Sequence, residues 1–143
     1  MNRLAENTTA TITVVLWICG PKNFEPNEFT SQHEIEPNKI WRCKPKIAEA
    51  HPHLDRLCWV FELKRIVTCE YSKALNEILV HFHPKRKQLI ESFKRWNLTA
   101  SIHLVPKGGL RDFDTTISTE IVRKIADLDA SLVISNDNIR STE

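Results

Sequence analysis

Three glycines and one methionine in 143 residues leave no room for a glycine-rich phosphate loop or long flexible linkers. The four cysteines include no Cys-x-x-Cys pair, which removes the usual zinc knuckle and the thioredoxin-like redox site. A charge excess is also missing, with 20 basic residues against 18 acidic and a formal net charge of +2. Nucleic-acid binders are usually strongly basic, so no nucleic-acid partner is expected. No run approaches the ~20 apolar residues of a transmembrane helix, so no membrane association is expected either. The apolar block from Thr11 to Gly20 is the one candidate for an export signal. Trp17 and Ile18 occupy the places where small residues belong, and Glu6 lies upstream. The expected location is cytoplasmic. Cys19 and Cys58 fall inside apolar runs, where reduced, buried thiols are expected.

What is present is an ordinary globular composition, 41% hydrophobic and 27% charged, which suits a single domain over residues 1–143. The polar ends, 1–9 and 136–143, are expected to fray. From Thr11 to Cys19, Ile12, Val14, Leu16 and Ile18 share one face of a strand while Val15 and Trp17 share the other. Apolar residues on both faces predict a central strand covered on each side, at least at its end. Glu25-Pro26-Asn27-Glu28 starts a short helix that Glu36-Pro37-Asn38 must end. Ile40–Cys43 reads as a short strand and Leu57–Leu63 as a longer one, with Trp59, Phe61 and Leu63 on one face.

The strongest periodicity runs from Ser72 to Trp96, where residues 75, 79, 82, 89, 93 and 96 form one helical stripe. Pro84 predicts a kink or restart there, with His83 displaced from helical dihedrals. Leu98–Leu104 alternates as a strand with one solvated face. Ser118 is a good N-cap, with Ile117 and Val122 placed as a staple. Ile121, Val122, Ile125 and Leu128 are expected to face a core, and Ala130–Ile134 closes the chain as a strand. The fold class is therefore α+β, a single mixed or antiparallel sheet with helices packed on it, in the order β-α-β-β-α-β-α-β.

Chemistry is sparse. His51 and His53 flank a proline in a loop with no third ligand nearby, and His81 and His83, two apart on a helix, point about 200° away from one another. No metal and no cofactor are expected. Asp112, Asp114, Asp127 and Asp129 sit at helix ends, where aspartates mostly cap and turn. No nucleophile–base pattern has a recognisable context, so no catalytic residue is assigned and no enzyme is expected. Lys85-Arg86-Lys87 and Lys94-Arg95 form a basic helix face that solvent accounts for.

Residues 38–56 have weak periodicity, the basic residues Lys39, Arg42, Lys44 and Lys46, and an unplaced Trp41. A loop of that length in a compact domain is functional or disordered, and its tryptophan and prolines favour an ordered surface. Aromatic and arginine side chains are favoured at interfaces. Trp41 and Arg42, with Lys44 at the rim, are the candidate partner-binding residues, with Trp41 and Arg42 expected to be at least partly exposed; the competing reading makes Trp41 a core residue.

Four features in order resemble a family of small bacterial proteins, the domain of unknown function numbered 4279. They are the strand Thr11–Cys19; Glu25–Thr30 leading to Ile35-Glu36-Pro37; Trp59; and Ile117–Glu120 followed by Ile125–Leu132. Leu75–Leu79 before Pro84 is similar to the family's long central helix, and the likeness spans roughly residues 10–136. The chain departs from the family at Lys39-Ile40-Trp41-Arg42, near which members usually carry a glycine. The resemblance implies no catalytic residues. Members are often discussed as immunity proteins beside bacterial toxins, so it implies a non-enzymatic protein that neutralises a toxin from a neighbouring gene by direct binding. The alternatives are a self-associating structural or regulatory module, or a small metal-dependent hydrolase using loop histidines and aspartates.

Overall fold

The computed structural model describes residues 9–42, 50, 56–108 and 113–135. Its elements run β1 (Thr11–Pro21), α1 (Pro26–His33), β2 (Lys39–Arg42), β3 (Arg56–Val67), α2 (Tyr71–Phe82), a 3-10 turn (His83–Lys85), α3 (Arg86–Trp96), β4 (Thr99–Lys107), α4 (Thr119–Asp127) and β5 (Ala130–Ile134). The fold is α+β, and the order is the expected one with the long helix in two pieces. The tails 1–8 and 136–143 lie outside the described residues.

The five strands form one mixed sheet in the order β2-β3-β1-β4-β5. β1 is central and antiparallel to both β3 and β4; β2 is antiparallel to β3; β5 is parallel to β4. A parallel neighbour needs a crossover, which α4 supplies. Even-numbered residues of β1 face the main core, where Ile12, Val14, Leu16 and Ile18 are buried with Trp59 of β3 and Ile102 and Leu104 of β4. All four helices contribute to that core, through Phe29, Leu75, Ile78, Leu79, Phe82, Leu89, Phe93, Ile121 and Ile125. A continuous aromatic contact chain fills its centre. Phe29 meets Trp59 with ring centroids at 5.1 Å, and Trp59 and Phe61 both meet Phe82, at 6.0 and 5.0 Å.

Local signals explain the ends. Pro26 stands in the first turn of α1, and Glu34 closes that helix in the left-handed region. Ser118 Oγ accepts from the Ile121 amide at 3.3 Å, the capping bond expected of it. Gly20 sits at a close approach: a Cβ there would stand 2.4 Å from Leu98 Cδ2 and 3.1 Å from Phe24 Cβ, so those side chains would have to shift.

Three expectations need correction. His83 stays helical (φ −59°, ψ −38°) despite preceding Pro84, because its Nε2 is anchored 2.8 Å from Asp127 Oδ2; the break is taken up as a 3-10 turn ending at Lys85. Val122 is 50% exposed, since Ile121, Ile125 and Leu128 alone occupy the core-facing side of α4 and Val122 lies about 100° around from Ile121. Finally, Cys19 and Cys58 are not free thiols. They are register partners on β1 and β3, with Cα atoms 4.1 Å apart, and form a cross-strand disulfide. Thirty-nine residues of sequence separation carry no trace of that pairing; only the strand register creates it. Cys69 is free and half-buried, and Cys43 lies outside the described residues.

A candidate binding face on the second side of the sheet

Strand alternation sends the odd-numbered residues of β1 to the side away from the main core. There Trp17 is opposite Val60 and Ser101, Cys19 opposite Cys58 and Thr99, and Val15 opposite Glu62 and His103. Val15, Cys58 and Val60 make a small separate cluster with Trp17 and Cys19 packed against it. None of the four helices named above contributes to this cluster.

The register also brings β2 into the group, since Lys39 pairs with Val60 and Trp41 with Cys58. Trp17 and Trp41 meet edge to face with centroids 6.4 Å apart, and Trp17 lies 6.1 Å from the His103 ring. The Lys39 ammonium stands 5.8 Å from the Trp17 centroid, within cation–π reach. Ser101 Oγ is 3.1 Å from His103 Nε2. At the rim, Arg56 donates to the Cys19 carbonyl at 3.2 Å and to Thr99 Oγ1 at 3.1 Å. Trp41 retains 43% exposure and neighbouring Ile40 42%, and all four residues of β2 are exposed.

Of the residues singled out from the sequence, Trp41 belongs to this face. Arg42 does not: it is exposed, but adjacent residues of a strand project to opposite sides, and its register partner is Leu57, on the helix side. Lys44 lies outside the described residues. The residues sequence reasoning missed are Trp17, His103 and Lys39. An apolar–aromatic residue on the second face of a central strand was their one visible signal, and pairing it with Trp41 required the sheet order.

Below Trp17, toward the start of β1, the same face holds a cavity of about 440 Å³. Its walls include Val15, Trp17 and Val105, with Arg65, Lys107 and Glu62 supplying charge. Arg65 stands in a β-bulge where the β1–β3 register shifts, with φ 52°, and its amide donates to Thr13 Oγ1 at 3.1 Å.

The other sequence candidates resolve into structural roles. Lys85 donates to the His33 carbonyl at the end of α1, and Arg86 donates to the His83 carbonyl at 3.1 Å, so part of the basic run closes helix ends. Arg95 pairs with Glu28 at 3.3 Å and stacks on Trp96. Asp114 accepts from the Thr116 amide at 3.0 Å, which holds its carboxyl below the usual value. His81 packs on Phe61. His51, His53 and Asp112 lie outside the described residues. Among the described residues no three His, Cys, Asp or Glu side chains gather as a metal ion would need, and no helix is long and apolar enough to cross a membrane.

A histidine is buried beside the main core. His33 is 2% exposed, packs against Phe29 with tilted rings 4.5 Å apart and holds Ser92 Oγ at 2.7 Å. Burial, and then the nearby Lys85 charge, push its pKa below the ordinary histidine value. It packs α1 against α3.

No curated protein and no solved structure is significantly similar to the chain. The family described as a domain of unknown function (DUF4279) matches residues 9–138, nearly the whole length, and the chain belongs to that family.

Proposed function

We propose that the protein is a non-enzymatic binding module that engages a protein partner through β2 and the aromatic end of the second sheet face. The observation that carries this reading is the Trp17–Trp41 pair, which joins a half-exposed tryptophan on the terminal strand β2, across β3, to the central strand β1. Half-exposed aromatics on a stiff frame lose little entropy on docking and supply large contact area. A strand at the sheet edge adds backbone groups that a partner strand can pair with.

In its finer form the partner is a bacterial toxin encoded by a neighbouring gene, and the module is an immunity protein that works by occlusion. The family likeness and the small rigid frame support this. Near-neutral net charge implies a target not held mainly by charge. The matching location is cytoplasmic, a compartment in which a disulfide such as Cys19–Cys58 is the exception. Co-purification with the neighbouring gene product, followed by measured affinity for the wild type and Trp41→Ala, tests the reading. A complex tighter than about 1 µM that Trp41→Ala weakens supports it. If no neighbour is toxic and none binds that tightly, the reading fails.

A further inference from the structure

The cavity at the Arg65 end of the second face is distinct from the Trp41 edge and asks for its own account. We propose that it is a binding site for a small organic anion, whose oxyanion group meets Arg65 and Lys107 and whose flat apolar body lies against Val15, Trp17 and Val105. This goes beyond the partner-binding reading and stands without it.

Three observations carry the proposal. The volume, about 440 Å³, falls in the range of small-molecule sites, roughly 300–1,000 Å³. The lining sets a small apolar floor, Val15, Trp17 and Val105, among a majority of polar groups: Thr11 and Thr13 from β1, Glu62 and Arg65 from β3, and His103 and Lys107 from β4, with Ser135 beside them. Register makes this a built arrangement, since Thr11 faces Lys107, Thr13 faces Val105 and Val15 faces His103 across β1 and β4.

The third observation is the backbone at Arg65. Among the described residues four non-glycine positions have positive φ. Glu34 and Asn97 cap helices, and Asp129 follows the end of α4. Arg65 alone stands inside a strand, at a bulge where glycine is the easy choice. An arginine kept where the backbone disfavours it points to a use for its side chain. The bulge re-aims that side chain into the cavity lining. Among the described residues no carboxylate pairs with Arg65 or Lys107, and the one acid in the lining, Glu62, is 3.4 Å from Lys64. An incoming oxyanion therefore meets two cations against one paired carboxylate, and a guanidinium can hold it with two parallel bonds.

Phenyl phosphate is the probe, followed by the indole N–H resonance of Trp17 in 15N-labelled protein, assigned as the peak lost in Trp17→Phe. The expected result is a saturable shift of that peak, with inorganic phosphate and benzyl alcohol each binding at least about tenfold more weakly. Arg65→Gly permits the bulge conformation while deleting the side chain, so it should weaken phenyl phosphate at least about tenfold without lowering the melting temperature. Lys107→Ala carries the same expectation for binding and keeps the test open should Arg65→Gly fold poorly. Lys73→Ala, on α2 away from the cavity, should leave binding unchanged. No saturable shift up to about 10 mM overturns the proposal. So does equal binding of benzyl alcohol, which would mean apolar adhesion, or of inorganic phosphate, which would mean simple ion attraction. Unchanged affinity in the folded Arg65 and Lys107 variants overturns it as well.

Discussion

The two sides of the sheet use the same residue type to opposite ends. On the helix side, Trp59 is fully buried, donates its indole N–H to Thr30 Oγ1 at 2.9 Å and touches Phe29, Phe61 and Phe82. On the other side, Trp41 stays 43% exposed and touches Trp17 by one edge. A tryptophan with every group satisfied inside a core acts on stability. A tryptophan with an unfilled flank acts on stability only weakly and keeps area available for a partner. The comparison places the main core on one face, and on the proposed reading it leaves recognition to the other, so mutations on the two faces should separate accordingly.

The sharpest break would come at Trp59. Trp59→Ala removes the hub of the aromatic chain and leaves the Thr30 hydroxyl without its partner, so chemical denaturation should show a loss of about 3–5 kcal/mol. A loss below about 1 kcal/mol would mean that the core collapses around the gap, and the contrast with Trp41 would vanish.

Next in size is the fastening of the second face itself. Because few apolar side chains among the described residues hold that side, the Cys19–Cys58 bond should matter there more than packing does. The double variant Cys19→Ser, Cys58→Ser, compared with oxidised wild type, should lose about 2–4 kcal/mol in denaturant melts. Reductant should reproduce that loss in the wild type and leave the double variant unmoved. Identical melts for all samples would show that β1 and β3 need no staple.

The third test is a titration confined to the helix side. His33 has a lowered folded-state pKa, so the unfolded chain binds the proton more readily. Its contribution to stability is complete above the ordinary histidine value. It declines as pH falls below that value toward the depressed folded one. Melting temperature should therefore drop between about pH 7 and pH 5, and His33→Gln should flatten the drop. An equal slope in the variant would assign the pH dependence to other groups.

The architecture was legible in the sequence because period and punctuation agreed. Alternation in Thr11–Cys19, the helical stripe through Leu75, Leu79 and Phe82, and the Ser118 cap each reported a local preference that the tertiary structure left in place. What was not legible depends on which strands become neighbours. Trp17 meets Trp41, and Cys19 meets Cys58, only because β1 and β2 flank β3, and no local signal encodes sheet order. Adjacency in sequence also misled: Trp41 and Arg42 looked like one patch, and a strand parts them. His83 kept helical dihedrals before a proline, with its backbone N–H on the Leu79 carbonyl and its ring on Asp127, 44 residues away.

Trp41 itself gives the smallest change in stability and the most informative one. Its 43% exposure means that truncation uncovers much less folding-buried surface than at the fully buried Trp59. The lost edge contact with Trp17 is of the kind worth about 0.5–1.5 kcal/mol. Trp41→Ala should therefore cost about 1–2 kcal/mol in a denaturant melt, below the loss at Trp59. In the complex with the partner the same truncation should cost about 2 kcal/mol, because the ring would then be enclosed on both flanks. Arg42→Ala is the internal control. It shares the edge but points to the helix side, so its effect on affinity should be several-fold smaller than that of Trp41→Ala. The reverse ranking, with Arg42 dominant and Trp41 neutral for binding, would move the docking surface to the helix side of β2. A large drop in stability for Trp41→Ala with affinity intact would make Trp41 a packing residue and return both faces of the sheet to the fold.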